Sequence, residues 1–253
     1  MLSITGKQFV SLRNQCEAQF EQALKAHAVK FAAKLCSVAG EESVIDLVRF
    51  SISDARQYDW SSRELVRFHL ELSLTFGFGF VDDPQYRWVG ELMRDPLCSA
   101  PLKAQMIYKE TARYLDVVLG PKGEFVGHAF NRFKSLASLD CKFAVPSEYS
   151  DAIQLAEIIY PEKLLYLGTE AVSAVMRSAQ RAANFCGFDR ERGATLIFFA
   201  MLLFGAGVLT DPMYPWFNRV VRDEKIVNQE ARLNRLERKL LRYVTVAASN
   251  VIV

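Results

Sequence analysis

Several signatures of particular chemistries are absent. The five cysteines (Cys16, Cys36, Cys98, Cys141 and Cys186) are odd in number and contain no C-x-x-C pair, which argues against a disulfide framework or a zinc ribbon and favours a reducing compartment. The three histidines, His27, His69 and His128, lie far apart and lack a partner at metal-ligand spacing, so no metal and no cofactor is expected. There is no G-x-S-x-G elbow and no Walker pattern. The net charge of +2 gives little reason to expect a nucleic-acid partner. Gly (13) and Pro (8) are too few in 253 residues for a collagen-like or low-complexity chain, and no region shows sustained period-two alternation bounded by hairpin turns. Met1 to Leu12 holds no apolar run of the signal-peptide kind, so the expected location is the cytoplasm.

What the sequence does contain is a self-match. A shift of 128 residues aligns Gly40–Asp95 with Gly168–Asp223 without a gap, giving 15 identities in 56 positions. Unrelated sequence would give roughly 3, so a duplicated helical unit is the economical reading. The densest block pairs Phe76, Gly77, Gly79, Asp83, Pro84, Tyr86 and Trp88 with Phe204, Gly205, Gly207, Asp211, Pro212, Tyr214 and Trp216. With a shift of 129, Arg113–Val118 faces Arg242–Ala247, so each copy ends in a similar segment.

Inside each copy the period is helical. Val44, Leu47, Val48, Ile52 and Ala55 recur at spacings of three and four, as do Val172, Val175, Met176, Ala179 and Ala183. Ser61 and Glu64 form a capping box for a helix running to about Phe76. Gly77 and Gly79 can supply the left-handed backbone that ends it, and Asp83-Pro84 reads as N-cap and first-turn proline of the next. Acidic pairs such as Asp82-Asp83 are thereby accounted for by capping, and no catalytic residue stands out. The expected architecture is an all-α, internally duplicated bundle. Its two pseudo-twofold-related halves, 1–120 and 121–253, join near Gly120-Pro121-Lys122-Gly123 and pack as one body that offers a large surface or an inter-repeat groove.

Three stretches bear on function. Gly193–Leu209 is 17 residues without a charge, at the lower edge of a membrane span. Its counterpart Leu65–Val81 carries Arg67, His69 and Glu71, which favours a buried central helix in the second copy and an outward Arg67/Glu71 pair in the first. The last long helix, about Asp223–Ala247, has Ile226, Leu233, Leu236, Leu240 and Val244 on one stripe and Arg232, Arg235, Arg238, Lys239 and Arg242 beside it. Glu230 and Glu237 interrupt its basic face, which weakens a membrane-surface role. The candidate partner-binding residues are Arg63, Arg67 and Glu71 on the first-copy face and Leu233, Arg235, Leu236, Arg238 and Arg242 on the last helix.

The doubled signature, Phe76-Gly77-x-Gly79 with Asp83-Pro84-x-Tyr86-x-Trp88 and its repeat from Phe204 to Trp216, resembles the small helical proteins of bacterial type VI secretion loci, encoded beside spike, PAAR or toxin-effector genes. That resemblance covers about a tenth of the chain and carries over no catalytic residue. It implies a non-catalytic adaptor, chaperone or co-effector whose partner is a secreted effector, toxin or spike protein. The alternatives are an immunity protein for a cognate toxin and a membrane-associated helical protein.

Overall fold

The computed structural model describes residues 5–138, 149–188, 192–223 and 225–251. Cys141, which falls among the cysteine counts above, lies outside them. Among the described residues the chain is all-α with no strand. Twelve α-helices follow one another: α1 (Gly6–Phe31), α2 (Ala33–Ala39), α3 (Glu41–Arg56), α4 (Arg63–Phe76), α5 (Arg87–Arg94), α6 (Ala100–Tyr114), α7 (Glu124–Ser138), α8 (Tyr149–Ile159), α9 (Pro161–Phe185), α10 (Arg192–Phe204), α11 (Pro215–Val221) and α12 (Gln229–Val251). Short 3₁₀ turns at Phe80–Asp82 and Pro84–Tyr86 link α4 to α5, and one π-helical turn, Leu115–Leu119, extends α6.

Two of the bends in the helical path are made by glycine, while α1 and α2 part at Ala32 and α8 and α9 at Tyr160. Gly40, at φ +92° and ψ 163°, separates α2 from α3, and Gly168, at φ +75° and ψ 166°, kinks α9 in the same way. A single contiguous core runs from Leu24 to Ala248, so residues of 1–120 and 121–253 share one apolar interior. At its centre lies α10, where Gly193 to Leu202 and Phe204 are all buried. The uncharged run is therefore core, and among the described residues no helix is long and apolar enough to cross a membrane.

Two turns meet at the middle of the molecule, those after α4 and after α10. Gly77 and Gly205 both have positive φ, +95° and +97°. A Cβ on Gly77 would lie 2.4 Å from Phe204 O, and one on Gly205 would lie 2.4 Å from Phe76 O, so the two backbones touch where only glycine fits. Gly207 differs from Gly79, whose φ is +69°: its φ is negative, and it is glycine because a Cβ would stand 1.9 Å from Phe78 O.

The aspartates stitch the turns together. Asp83 Oδ1 accepts from Gln85 N at 2.8 Å, as the expected cap, while its Oδ2 accepts from Ala206 N at 2.6 Å. Asp211 Oδ1 accepts from Met213 N at 2.8 Å and its Oδ2 from Phe78 N at 3.0 Å. Each carboxylate thus caps its own turn and holds the other one. The aromatic corners pack back on the helices just ended. Tyr86 and Tyr114 lie 4.3 and 5.2 Å from the Phe76 ring, and Tyr214 and Tyr243 lie 4.8 and 5.3 Å from Phe204.

Two boundaries move from their expected places. The cap of α4 is Ser62, which accepts from Leu65 N at 3.3 Å, and not Ser61. Trp60 is fully buried and its N–H returns to Ala55 O, so the chain spends one more residue before the helix can start. Helix α12 begins at Gln229, with Asn228 accepting from Ala231 N. Asp223 instead closes the preceding loop by accepting from Lys225 N.

Candidate functional site

The candidate surface residues separate by burial. Leu233 and Leu236 are fully buried, each at 0% exposure, and cannot meet a partner. Their stripe, with Leu240 and Val244, is the face that α12 turns to the core, because α7, α10 and α11 cover it. Arg235 is half-buried and donates to Asp223 Oδ2 at 2.6 Å. Arg238 and Arg242 are exposed, as the partner-binding reading requires.

The two acids that interrupt the basic face are engaged from behind. Arg192 of α10 bonds Glu230 at 2.5 Å and Asn234 at 2.7 Å and also pairs with Glu237. Glu237 and Glu230 in turn favour the Arg192 guanidinium and outweigh the cost of its partial burial. What remains outward is Arg238, Lys239 and Arg242, for which no acidic partner occurs among the described residues.

On the first-copy face the outward pair is only partly outward. Arg67 Nε lies 3.9 Å from Glu71 Oε1, the expected i,i+4 spacing, but His27 of α1 reaches the same oxygen at 2.6 Å. Arg63 lies over the Phe20 ring at 5.3 Å. Helix α1 therefore covers much of that face, leaving a shallow hollow between Phe20, His27, Arg63 and Arg67.

A groove lies between α2 and α12. It has a volume of about 410 Å³ and runs between Lys34, Leu35 and Val38 of α2 and Lys239, Arg242, Tyr243, Val246 and Ala247 of α12. Trp216 of α11 also lines it, and the Trp216 and Tyr243 rings stack at 5.5 Å and 28°. Its lining is thus apolar and aromatic, with cationic side chains around it.

Sequence reasoning missed the polar cluster in the centre. Lys163 of α9 is buried, and its Nζ donates to Leu202 O at 2.6 Å and to Tyr86 OH at 3.3 Å. Gln85 Nε2 donates to Met201 O at 3.0 Å. Both side chains serve carbonyls in the last turn of α10: Lys163 takes Leu202 O, whose i+4 donor Ala206 N is bonded to Asp83, and Gln85 adds a second donor to Met201 O, which already accepts from Gly205 N at 2.9 Å. Burial pushes Lys163 down to about 8, against the pull of Asp83, and pushes Asp211 up to about 6. Burial also raises Asp83 and the Tyr86, Tyr114 and Tyr160 phenols. A cavity of about 200 Å³ beside Lys163 reaches across to Leu35 and the end of α4. One signal was available: carrying the 128-residue shift back five positions from Gly40 sets Lys163 against Leu35, a lysine at a core position.

No cluster of histidine, cysteine or acidic side chains suited to a metal ion occurs among the described residues. His69 is fully buried with Nε2 3.0 Å from Asp54 Oδ2, an internal pair that pins α4 to α3. No protein-family model matches the chain, and no curated protein or solved structure matches it either.

Proposed function

We propose that this is a non-catalytic protein-interaction protein built from a duplicated helical unit. The observation that carries the reading is the first half of α1. Every residue from Thr5 to Gln19 is exposed, so about 20 Å of helix stands open to solvent. Phe9, Val10 and Leu12 stand on it at 62%, 48% and 49% exposure. Unpacked helices of this length are marginal in water, and the Thr5–Gln8 capping box contributes only about 1 kcal/mol. A partner covering these apolar side chains supplies the missing packing. The exposed Arg238 and Arg242 are further contact residues of this reading.

The duplication is part of the proposal. The swapped Asp83 and Asp211 bonds, the facing Gly77 and Gly205, and the two aromatic corners fall at residues 128 or 129 apart, which supports one ancestral unit copied once. The resemblance to type VI secretion accessory proteins makes the proposed partner a secreted effector, toxin or spike component, met in the cytoplasm.

The test is capture of a partner by the full chain at micromolar concentration, alongside the Phe9→Asp/Leu12→Asp double variant. The expected result is a stable complex that the variant loses with an unchanged melting temperature, since both side chains are exposed. The absence of any complex, or a complex indifferent to the substitutions, overturns the reading.

A further inference from the structure

The groove against α12 gains meaning from the place where its counterpart is filled. Tyr166 stands two residues before Gly168, and Val38 stands two residues before Gly40. The Tyr166 ring meets Tyr114 edge-on at 5.2 Å, and its hydroxyl donates to Glu110 Oε1 at 2.7 Å. Arg113 Nη1 lies 3.6 Å from the same carboxylate oxygen. That crossing holds an aromatic body, an anion and an arginine, all from the chain itself.

At the groove two of those three parts are missing. Val38, 55% exposed, replaces the tyrosine, and the residue 129 positions after Glu110 is Lys239. The arginine is kept: Arg242 lies 129 positions after Arg113, and Tyr243 after Tyr114. Lys239 and Arg242, at i and i+3, share one face of α12. The substitution removes both the ring and the carboxylate, and it adds a cation where the carboxylate was. The vacated volume is apolar and lined by stacked aromatics, and its charge is positive.

We infer that this groove binds a small amphipathic carboxylate from outside the chain. Its apolar acyl or aryl body would lie along Leu35, Val38 and the Trp216–Tyr243 stack, with its anionic head at Lys239 and Arg242. The volume, about 410 Å³, falls in the range of small-molecule sites, roughly 300–1,000 Å³. From Lys239 to Ala247 the wall of α12 is about 12 Å long at 1.5 Å per residue, enough for a medium-length acyl chain. The site is independent of the exposed first half of α1.

The experiment uses the full chain and two anionic probes. Binding of 8-anilinonaphthalene-1-sulfonate is followed by fluorescence, and decanoate is titrated as competitor. Saturable binding of one equivalent is expected, displaced by decanoate and not by decyltrimethylammonium, which has the same tail and the opposite charge. Arg242→Glu, on an exposed side chain, should weaken both anions at least about tenfold without moving the melting temperature. Val38→Tyr, which transplants the filling of the other crossing, should abolish binding in the folded protein. Equal affinity for the cationic tail, or undiminished binding by Arg242→Glu, overturns the inference. Loss of the protein partner in the α1 variant with decanoate binding intact would separate this site from the proposed interaction.

Discussion

The turns after α4 and α10 meet through the same kinds of residue and are finished with different chemistry. At both, a positive-φ glycine presses on the opposite chain and an aspartate accepts one N–H from its own turn and one from the other. At the α10 end, Gln85 and Lys163 donate to Met201 O and Leu202 O. The positions 128 residues away hold Met213 and Leu35, which line the cavity at the α4 end and donate nothing there. A crossing of this kind is specified by its glycines and aspartates, because they satisfy the backbone, while the surrounding side chains are free to be apolar or charged.

The largest test breaks the part that the two ends share. Gly77→Ala and Gly205→Ala each drive a Cβ into a facing carbonyl at a positive φ. Each should cost more than about 4 kcal/mol, read as loss of soluble folded protein or a collapse of the melting transition. Gly40→Ala and Gly168→Ala put a side chain in an extended positive-φ region that glycine alone adopts readily, but with open space around the Cβ, and should cost less, about 1–3 kcal/mol. A severe effect at Gly205 with a benign one at Gly77 would end the equivalence.

Next come the carboxylates. Asp83→Ala leaves Gln85 N, Ala206 N and the Gln85 amide without their acceptor, and Asp211→Ala leaves Met213 N and Phe78 N. Chemical denaturation should show losses of about 2–4 kcal/mol, larger at Asp83 by the third donor.

Lys163→Leu sharpens the comparison by giving the α10 end the residue of its counterpart. Folded Lys163 titrates near 8 against an ordinary value of 10.5, so between those values the unfolded chain binds the extra proton and the native protein gains stability as pH rises. Below pH 8 that gain is gone and the buried charge is a standing cost. The variant should therefore lie within about 2 kcal/mol of the parent at pH 7 and fall further behind it by pH 10, in paired denaturation curves at the two values. A gap that does not change between pH 7 and pH 10 would show that folded Lys163 keeps its proton across that range, as the unfolded chain does.

The smallest effect is expected at Arg238→Glu. The side chain is exposed and its one internal bond is to Asn234 O, so the melting curve should shift by no more than about 0.5 kcal/mol.

Helix period, glycine punctuation and the Asp83-Pro84 cap were legible in the chain because each acts through its own few residues. The same is true of the burial of α10, whose uncharged run leaves it no polar face. Asp211-Pro212, which reads the same way as Asp83-Pro84, instead caps a turn, and α11 begins only at Pro215. The other errors came where a distant group intervened. Burial of Trp60 moved a cap from Ser61 to Ser62. Docking of α12 turned Leu233 and Leu236, proposed as contacts, into core. Arg192, 38 and 45 residues away, took up Glu230 and Glu237 and left the basic face more positive than its sequence suggests.

By itself, then, the sequence determined an all-helical chain, where its helices break, and which run would be innermost, since hydrophobic spacing and backbone preference are local properties. Only the tertiary structure decided that Lys163 would be buried against Leu202 O, that Asp83 would serve a turn 123 residues away, and that Val38 would leave open a groove with Lys239 and Arg242 at its rim. Desolvation and cavity shape depend on what packs alongside, and no window along the chain contains those neighbours.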